Sequence, residues 1–215
     1  PVLYGQTIRH ITRPSPPAKK TRPQMSVKPS ADTLAQAASA AAKDGLPPVH
    51  KWNPPHCGDI GMEIRRDGTW FYEGTPIGRK PLVRLFSDIL KREGERYYLV
   101  TPVEKVGLRV EDAPFVAVDL KAAGEGAAQV VSFTTNVGDV VVAGEGHAIR
   151  VVRDESGEPS PYVHVRSGLE ALIDRKNFYR LVDLGEAYEV DGTDWFGVWS
   201  SGVFFPIIPV AELGV

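Results

Sequence analysis

Ile64-Arg65-Arg66-Asp67-Gly68-Thr69-Trp70-Phe71-Tyr72-Glu73-Gly74-Thr75-Pro76-Ile77-Gly78-Arg79-Lys80-Pro81-Leu82-Val83-Arg84-Leu85-Phe86 lines up without a gap on residues 151–173, VVRDESGEPSPYVHVRSGLEALI. At this offset Arg66 faces Arg153, Asp67 faces Asp154, Arg79 faces Arg166, Leu82 faces Leu169 and Leu85 faces Leu172. Each stretch reads as a hairpin, then a short helix, then a strand carrying aromatics, at residues 97–100 and 178–182. The fold expected from this echo is α+β, with two domains built from a duplicated hairpin–helix–strand unit. The seam between two such copies is where a ligand is expected, because pockets favour domain interfaces.

Within the quoted stretch, residues 62–65 alternate as a strand does, and Asp67-Gly68 is a favoured hairpin turn. Trp70-Phe71-Tyr72 forms the returning strand, and Gly74-Thr75-Pro76 closes it. Pro81 suits the first turn of a helix, where its missing N–H costs nothing. Leu82, Leu85, Phe86, Ile89 and Leu90 then fall on one helical face, and Gly94 is the expected stop. From residue 97 to residue 153 β-branched and aromatic residues predict successive strands, at 97–101, 105–110, 115–120, 129–134, 139–143 and 148–153. The second copy predicts a strand at 162–165, a helix at 168–175 and a strand at 178–184. A last hairpin is expected at 186–190 and 195–200, around Asp191-Gly192. The two domains are placed at 49–105 and 106–215, with the join near 104–112, and the second is the more strand-rich.

Upstream, residues 25–48 form an arm whose alanine-rich stretch, 30–43, favours a helix capped by Ser30 or Asp32. Its apolar face is thin, which predicts a surface position outside the core. Residues 52–59, WNPPHCGD, read as an extended link. Residues 1–24 hold Arg9, Arg13, Lys19, Lys20 and Arg22 and no acid. Met25 opens a segment that reads like a natural start, so the basic tail is taken as disordered or foreign to the fold.

Composition narrows the function classes. The formal net charge is −2, but beyond residue 24 there are 20 basic against 27 acidic residues. So acidic a body is a poor match for phosphate backbones, and no nucleic-acid partner is expected. Aromatics at 70–72 and 97–98 could stack RNA bases, yet alternation turns about half of them inward. No apolar run reaches the ~18 residues of a membrane span, and the best stretch, 202–210, is broken by Pro206 and Pro209. A single cysteine forms no internal disulfide, which points to the cytoplasm.

Strong catalytic motifs are absent from the sequence: there is no phosphate-binding loop, dinucleotide fingerprint or nucleophile elbow. Cys57 lies between His56 and Gly58, and a nucleophile needs an imidazole aimed at it, which a chain neighbour rarely supplies. His50, His56, Cys57 and Asp59 match no strong metal-ligand spacing, so no metal is expected. A more informative set is Trp70, Tyr72, Arg79, Lys80 and Arg84, with Arg166 from the second copy. Basic groups at a helix start suit an anion, which the macrodipole and first-turn N–H groups also attract. The aromatic rings beside them suit a flat ligand. Each arginine could equally be a solvated partner for Glu73, Asp88 or Glu93, and the Arg79/Arg166 match fits either a clamp or an anion contact.

The runs GDIGMEI (58–64), DGTWFYEGTPI (67–77) and LVRLF (82–86) resemble an uncharacterised bacterial family known only as a domain of unknown function, number twelve eighty-five. The resemblance covers residues 25–215. It implies a duplicated two-domain core whose second domain is loosely pleckstrin-homology-like. It also implies a nucleotide-like ligand at the domain interface and a role in signal transduction; it names no cofactor. The expectation is therefore a non-enzymatic module binding a small anionic ligand between its repeats. The alternatives are a protein-interaction module without a ligand, for which residues 195–199 and 202–205 are the candidate surface unless they form an ordinary buried hairpin, and a Cys57-dependent enzyme.

Overall fold

The computed structural model describes residues 30–41 and 45–213; the basic tail expected at 1–24 lies outside them. The first sheet is made of β1 (His56–Ile64), β2 (Trp70–Tyr72), β3 (Thr75–Pro76), β4 (Leu90–Glu93), β5 (Arg96–Val100) and β6 (Lys105–Val110). Its strand order is β3-β2-β1-β6-β5-β4. Two three-stranded meanders therefore meet along one parallel pair, β1 with β6. The join expected near 104–112 straddles β6, which completes this sheet.

The second sheet holds β7 (Phe115–Ala123), β8 (Val130–Thr135), β9 (Val140–Val142), β10 (Ile149–Arg153), β11 (Pro159–Arg166) and β12 (Leu169–Ile173). Its order is β10-β11-β12-β7-β8-β9, again two meanders joined by one parallel pair, β7 with β12. The two sheets thus share one topology, in which β7 takes the place of β1 and β12 that of β6. The echo between 64–86 and 151–173 follows a different offset, and the helix expected at 168–175 is instead the strand β12. Leu169, Ala171 and Ile173 are buried while Glu170 and Leu172 are half-buried, a period of two. Ser167 and Gly168, both at positive φ, form the hairpin tip before it.

The strand expected at 178–184 is likewise replaced, by helix α3 (Arg175–Val182). Asp174 caps it by accepting the Asn177 N–H at 2.8 Å. Phe178 and Leu181, three apart, face inward as a helix requires. A third sheet follows, with β13 (Glu186–Val190), β14 (Thr193–Ser200) and β15 (Val203–Pro209) in sequence order. β15 carries Pro206 and Pro209 because it lies at a sheet edge and opposes a bulge between Phe196 and Gly197.

Helix α2 (Lys80–Asp88) joins the two meanders of the first sheet. Its end is set by Ile89, and Gly94 serves the β4–β5 turn at φ +62°. Helix α1 (Ala31–Ala41) starts at Ser30, whose Oγ accepts the Thr33 N–H at 3.3 Å while Thr33 Oγ1 accepts the Ser30 N–H at 3.0 Å. Its thin apolar face nevertheless enters the core: Leu34 and Ala38 are fully buried. One hydrophobic core runs from these residues through Trp70 and Phe86 to Phe115, Phe133 and Val198. Burying each such phenylalanine contributes about 2–3 kcal/mol. Among the described residues no helix is long and apolar enough to cross a membrane.

Candidate functional site

The turn 77–79 and the first turn of α2 form the edge on which three clefts meet. The largest, about 1230 Å³, lies against α1 and is lined by Asp32, Ala35, Gln36, Arg79, Leu82 and Leu85 among others. A second, about 380 Å³, places Tyr72 and Arg79 around Thr75 and Pro76. The third, about 540 Å³, opens where the two sheet units meet. Trp70, Lys80 and Arg84 line it from one unit, and Asn136, Val137 and Gly138 from the other.

The sequence-selected residues divide into two groups here. Trp70, Tyr72, Arg79 and Lys80 do surround the start of α2. Arg79 and Lys80 are exposed, and neither forms an ion pair among the described residues. Arg79 occupies the N-cap without a side-chain cap. Trp70 is 1% exposed and stacks on Phe86 with centroids 6.3 Å apart, yet its indole Nε1 has no hydrogen-bond partner. The backbone contributes less to anion binding than the sequence suggests. The Leu82 and Val83 N–H groups both donate to the Arg79 carbonyl, at 3.0 and 3.1 Å, and Pro81 has none. Attraction for an anion therefore comes from the two side chains and the helix dipole.

Arg84 and Arg166 have another role. Arg84 Nη1 donates to Asp139 Oδ1 at 2.6 Å and to the Val137 carbonyl at 2.8 Å, and its Nε lies 3.1 Å from Asp88 Oδ1. Arg166 Nη1 donates to Asp139 Oδ2, while its Nη2 donates to the Ser87 carbonyl at 2.9 Å. The Arg166 guanidinium also lies 4.9 Å from the Phe115 ring centroid. Both arginines are thus spent on internal carboxylates, so Arg84 is a wall of the seam cleft and Arg166 lines none of the three. Arg79 and Arg166, matched in sequence, occupy unrelated places: an exposed helix start and the half-buried end of β11. Burial pushes the Asp88 carboxyl above its ordinary pKa, against the pull of Arg84 and Arg166.

Three residues that sequence reasoning missed complete the seam, Asp139 and two more. Asn136 donates from Nδ2 to the Gly68 carbonyl at 3.1 Å and accepts the Val116 N–H at 3.1 Å. Asp112 accepts the Tyr162 hydroxyl at 2.7 Å, with Arg66 Nη1 at 3.5 Å. Asn136 and Asp139 both lie in the turn that the sequence did reveal. Their roles depend on partners 68 and 55 residues away, which no local pattern carries.

Cys57 is exposed, and its Sγ donates to the Pro55 carbonyl at 3.5 Å. His56 lies edge-on to Tyr98, 5.6 Å between centroids. His147 Nδ1 meets the His164 carbonyl at 3.0 Å, and His164 bonds the Gly146 carbonyl through Nδ1 and the Gly168 N–H through Nε2. Neither imidazole is placed against the thiol by these bonds. No group of three metal-ligating side chains occurs among the described residues.

An α+β chain with two sheets of one topology and an exposed basic helix start beside their seam is the class this geometry defines. Its sequence matches the N-terminal domain of a domain of unknown function, DUF1285, over residues 47–113 and the corresponding C-terminal domain over residues 114–207. The chain belongs to the DUF1285 family. It is similar to the crystal structure of a DUF1285 family protein from Silicibacter pomeroyi DSS-3, with 64% identity and a TM-score of 0.77, covering 85% of this chain and 98% of that one. A DUF1285 family protein from Shewanella baltica OS155 is similar at 28% identity and a TM-score of 0.47, over 58% of this chain and 91% of that one. No curated protein matches the sequence.

Proposed function

We propose that this protein is a non-enzymatic ligand-binding module in signal transduction, and that its ligand is a small nucleotide-like anion held in the seam cleft at the start of α2. The observation that carries the reading is the pairing pattern. Arg84 is neutralised by Asp139 and Asp88, whereas Lys80 on the same cleft, and Arg79 beside it, have no carboxylate partner among the described residues. The cleft volume, about 540 Å³, lies in the range that small-molecule sites occupy. Trp70 lines the same cleft as an aromatic wall, with its Nε1 buried and without a partner among the described residues. Two units of one topology fit a duplication, the second loosely pleckstrin-homology-like, and the lone cysteine fits a cytoplasmic setting.

Thermal unfolding against nucleotides, dinucleotide cofactors and cyclic dinucleotides tests this. A ligand that binds only the folded state at a hundred times its Kd stabilises by about 2.7 kcal/mol. One class should raise the midpoint, and Lys80→Ala and Arg79→Ala should remove the rise while leaving the unliganded midpoint in place. A flat panel on a cooperatively folding sample would favour a protein-interaction module without a small ligand.

A further inference from the structure

The third sheet has two unlike faces. On one, Val198, Phe205 and Ile207 are buried, and Ser200 Oγ accepts the Val131 N–H at 2.9 Å and donates to the Ala143 carbonyl at 2.8 Å. On the other, Tyr188, Trp199 and Phe204 form a ring cluster with centroids 4.9, 5.1 and 5.3 Å apart. Trp195 lies opposite Tyr188 in the β13–β14 register. None of these four rings belongs to the hydrophobic core or packs against it, and Tyr188 is 46% exposed. Gly197 lies beneath them, where a Cβ would come within 2.6 Å of the Phe204 ring. The rings therefore close over bare backbone and present their outer surfaces to solvent.

The charge of this C-terminal segment is one-sided. From residue 183 to residue 215 there are six acids, Asp183, Glu186, Glu189, Asp191, Asp194 and Glu212, and no Lys, Arg or His. All six are exposed, and none forms an ion pair among the described residues. Glu186 shares the ring face, opposite Gly197, and Asp191 lies in the β13–β14 turn, whereas Glu189 and Asp194, paired with each other, belong to the opposite face.

We propose that this face is a docking surface for a basic, proline-rich segment of a partner protein, bound as an extended polyproline II strand. Proline rings stack on flat aromatic faces, and a polyproline II segment is already extended, so little ordering entropy is lost on binding. Its arginines or lysines meet Glu186 and the acidic turn, and an arginine over Trp199 adds a cation–π contact. A neutral ligand would leave Glu186 and Asp191 unused, and a nucleic acid would be repelled by them. The surface is separate from the seam cleft, so either reading can fail without the other.

Residues 13–23 of this chain have the required chemistry, with prolines at 14, 16, 17 and 23 and bases at 13, 19, 20 and 22, and they supply a probe sequence. Titrating the full chain into a fluorescein-labelled peptide of that sequence, followed by anisotropy, should give saturable, salt-sensitive binding. Tyr188→Ala, and separately the double change Glu186→Gln and Asp191→Asn, should each weaken it at least about tenfold, or about 1.4 kcal/mol. Both alter exposed groups, so an unchanged unfolding midpoint confirms that the fold is intact. Probe peptides with the prolines replaced by alanine, or the bases by glutamine, should lose binding. Three results would overturn the proposal: no binding, binding indifferent to these substitutions, or binding that appears only when the chain's own Lys19, Lys20 and Arg22 are replaced by glutamine. The last would mean that the chain's own segment already occupies the face.

Discussion

Arg84 on α2 and Arg166 at the end of β11 reach the same carboxylate, one to each oxygen of Asp139. Residues that look like two halves of an anion site are thus a clamp between the sheet units, with Asp139 as the anion. Arg166 extends the clamp to the end of α2 through the Ser87 carbonyl. Arg84 and Arg166 thus serve the cohesion of the seam, which leaves Lys80 and Arg79 as the cations for the ligand proposed above.

Asp139→Asn should consequently destabilise the whole chain. It leaves two partly buried guanidiniums facing a neutral group, and breaking such pairs from one side costs about 3 kcal/mol. Urea unfolding should show a lower midpoint with one cooperative transition. A double-mutant cycle between Asp139→Asn and Arg166→Met should give clear coupling. Additive effects would mean that the clamp contributes nothing.

Asp88 should behave in the opposite sense. Its folded-state pKa is raised, so the folded protein holds that proton more tightly than the unfolded chain does. Its favourable contribution is present at low pH and is lost as pH rises from the ordinary carboxylate value through the raised folded one. Asp88→Asn should therefore be as stable as the parent, or more so, at neutral pH. Urea midpoints for the two proteins from about pH 4 to about pH 7 would check this. A deficit for Asp88→Asn at neutral pH would show that the Arg84 pairing outweighs the burial cost.

Glu170 reverses the sign again. Hydrogen bonds from Arg150 at 2.6 and 2.7 Å hold its carboxyl below the ordinary range. Its contribution is complete above the unfolded value and is lost as pH falls through the folded one. The stability gap between the parent and Glu170→Gln should accordingly narrow as pH is lowered from about 6 to about 3. Arg150 is half exposed, which keeps the gap modest.

How far the sequence could be read follows from the same contacts. The meanders were legible because hairpin turns and alternation are local: Asp67-Gly68, Asn136–Asp139 and Asp191-Gly192 each lie where a turn was expected. The parallel pairs β1–β6 and β7–β12 were not, since register between distant strands has no local signature. Residues 168–184 were misread for a different reason. The echo placed Leu169 and Leu172 on the helix of the first copy, although burial there alternates with period two and the helix begins only after the Asp174 cap. At the site, Trp70, Tyr72, Arg79 and Lys80 were legible as helix-start chemistry. Asp139 was not, because its importance lies in who approaches it.

Gly68 makes the seam sensitive to a single methyl. It holds φ +81°, and a Cβ there would lie 2.5 Å from Asn136 Nδ2. Gly68→Ala should cost about 2 kcal/mol, from backbone strain and from loss of the Asn136 bond to the Gly68 carbonyl. Hydrogen exchange should show the Val116 and Asn136 amides losing protection first. A change of midpoint without local opening at these amides would place the cost in the turn alone.

Trp70→Phe separates packing from recognition. The indole is buried against Phe86, but its Nε1 bonds to nothing. Replacing it by phenylalanine removes an unsatisfied donor while losing some buried area, and these effects oppose each other. The unliganded protein should stay within about 1 kcal/mol of the parent. Any nucleotide-induced rise in midpoint should shrink, because the cleft wall that Trp70 forms loses its indole edge. An undiminished rise would show that the anion sits at Arg79 and Lys80 without reaching the tryptophan, and would move the ligand toward Tyr72 and the cleft at Thr75.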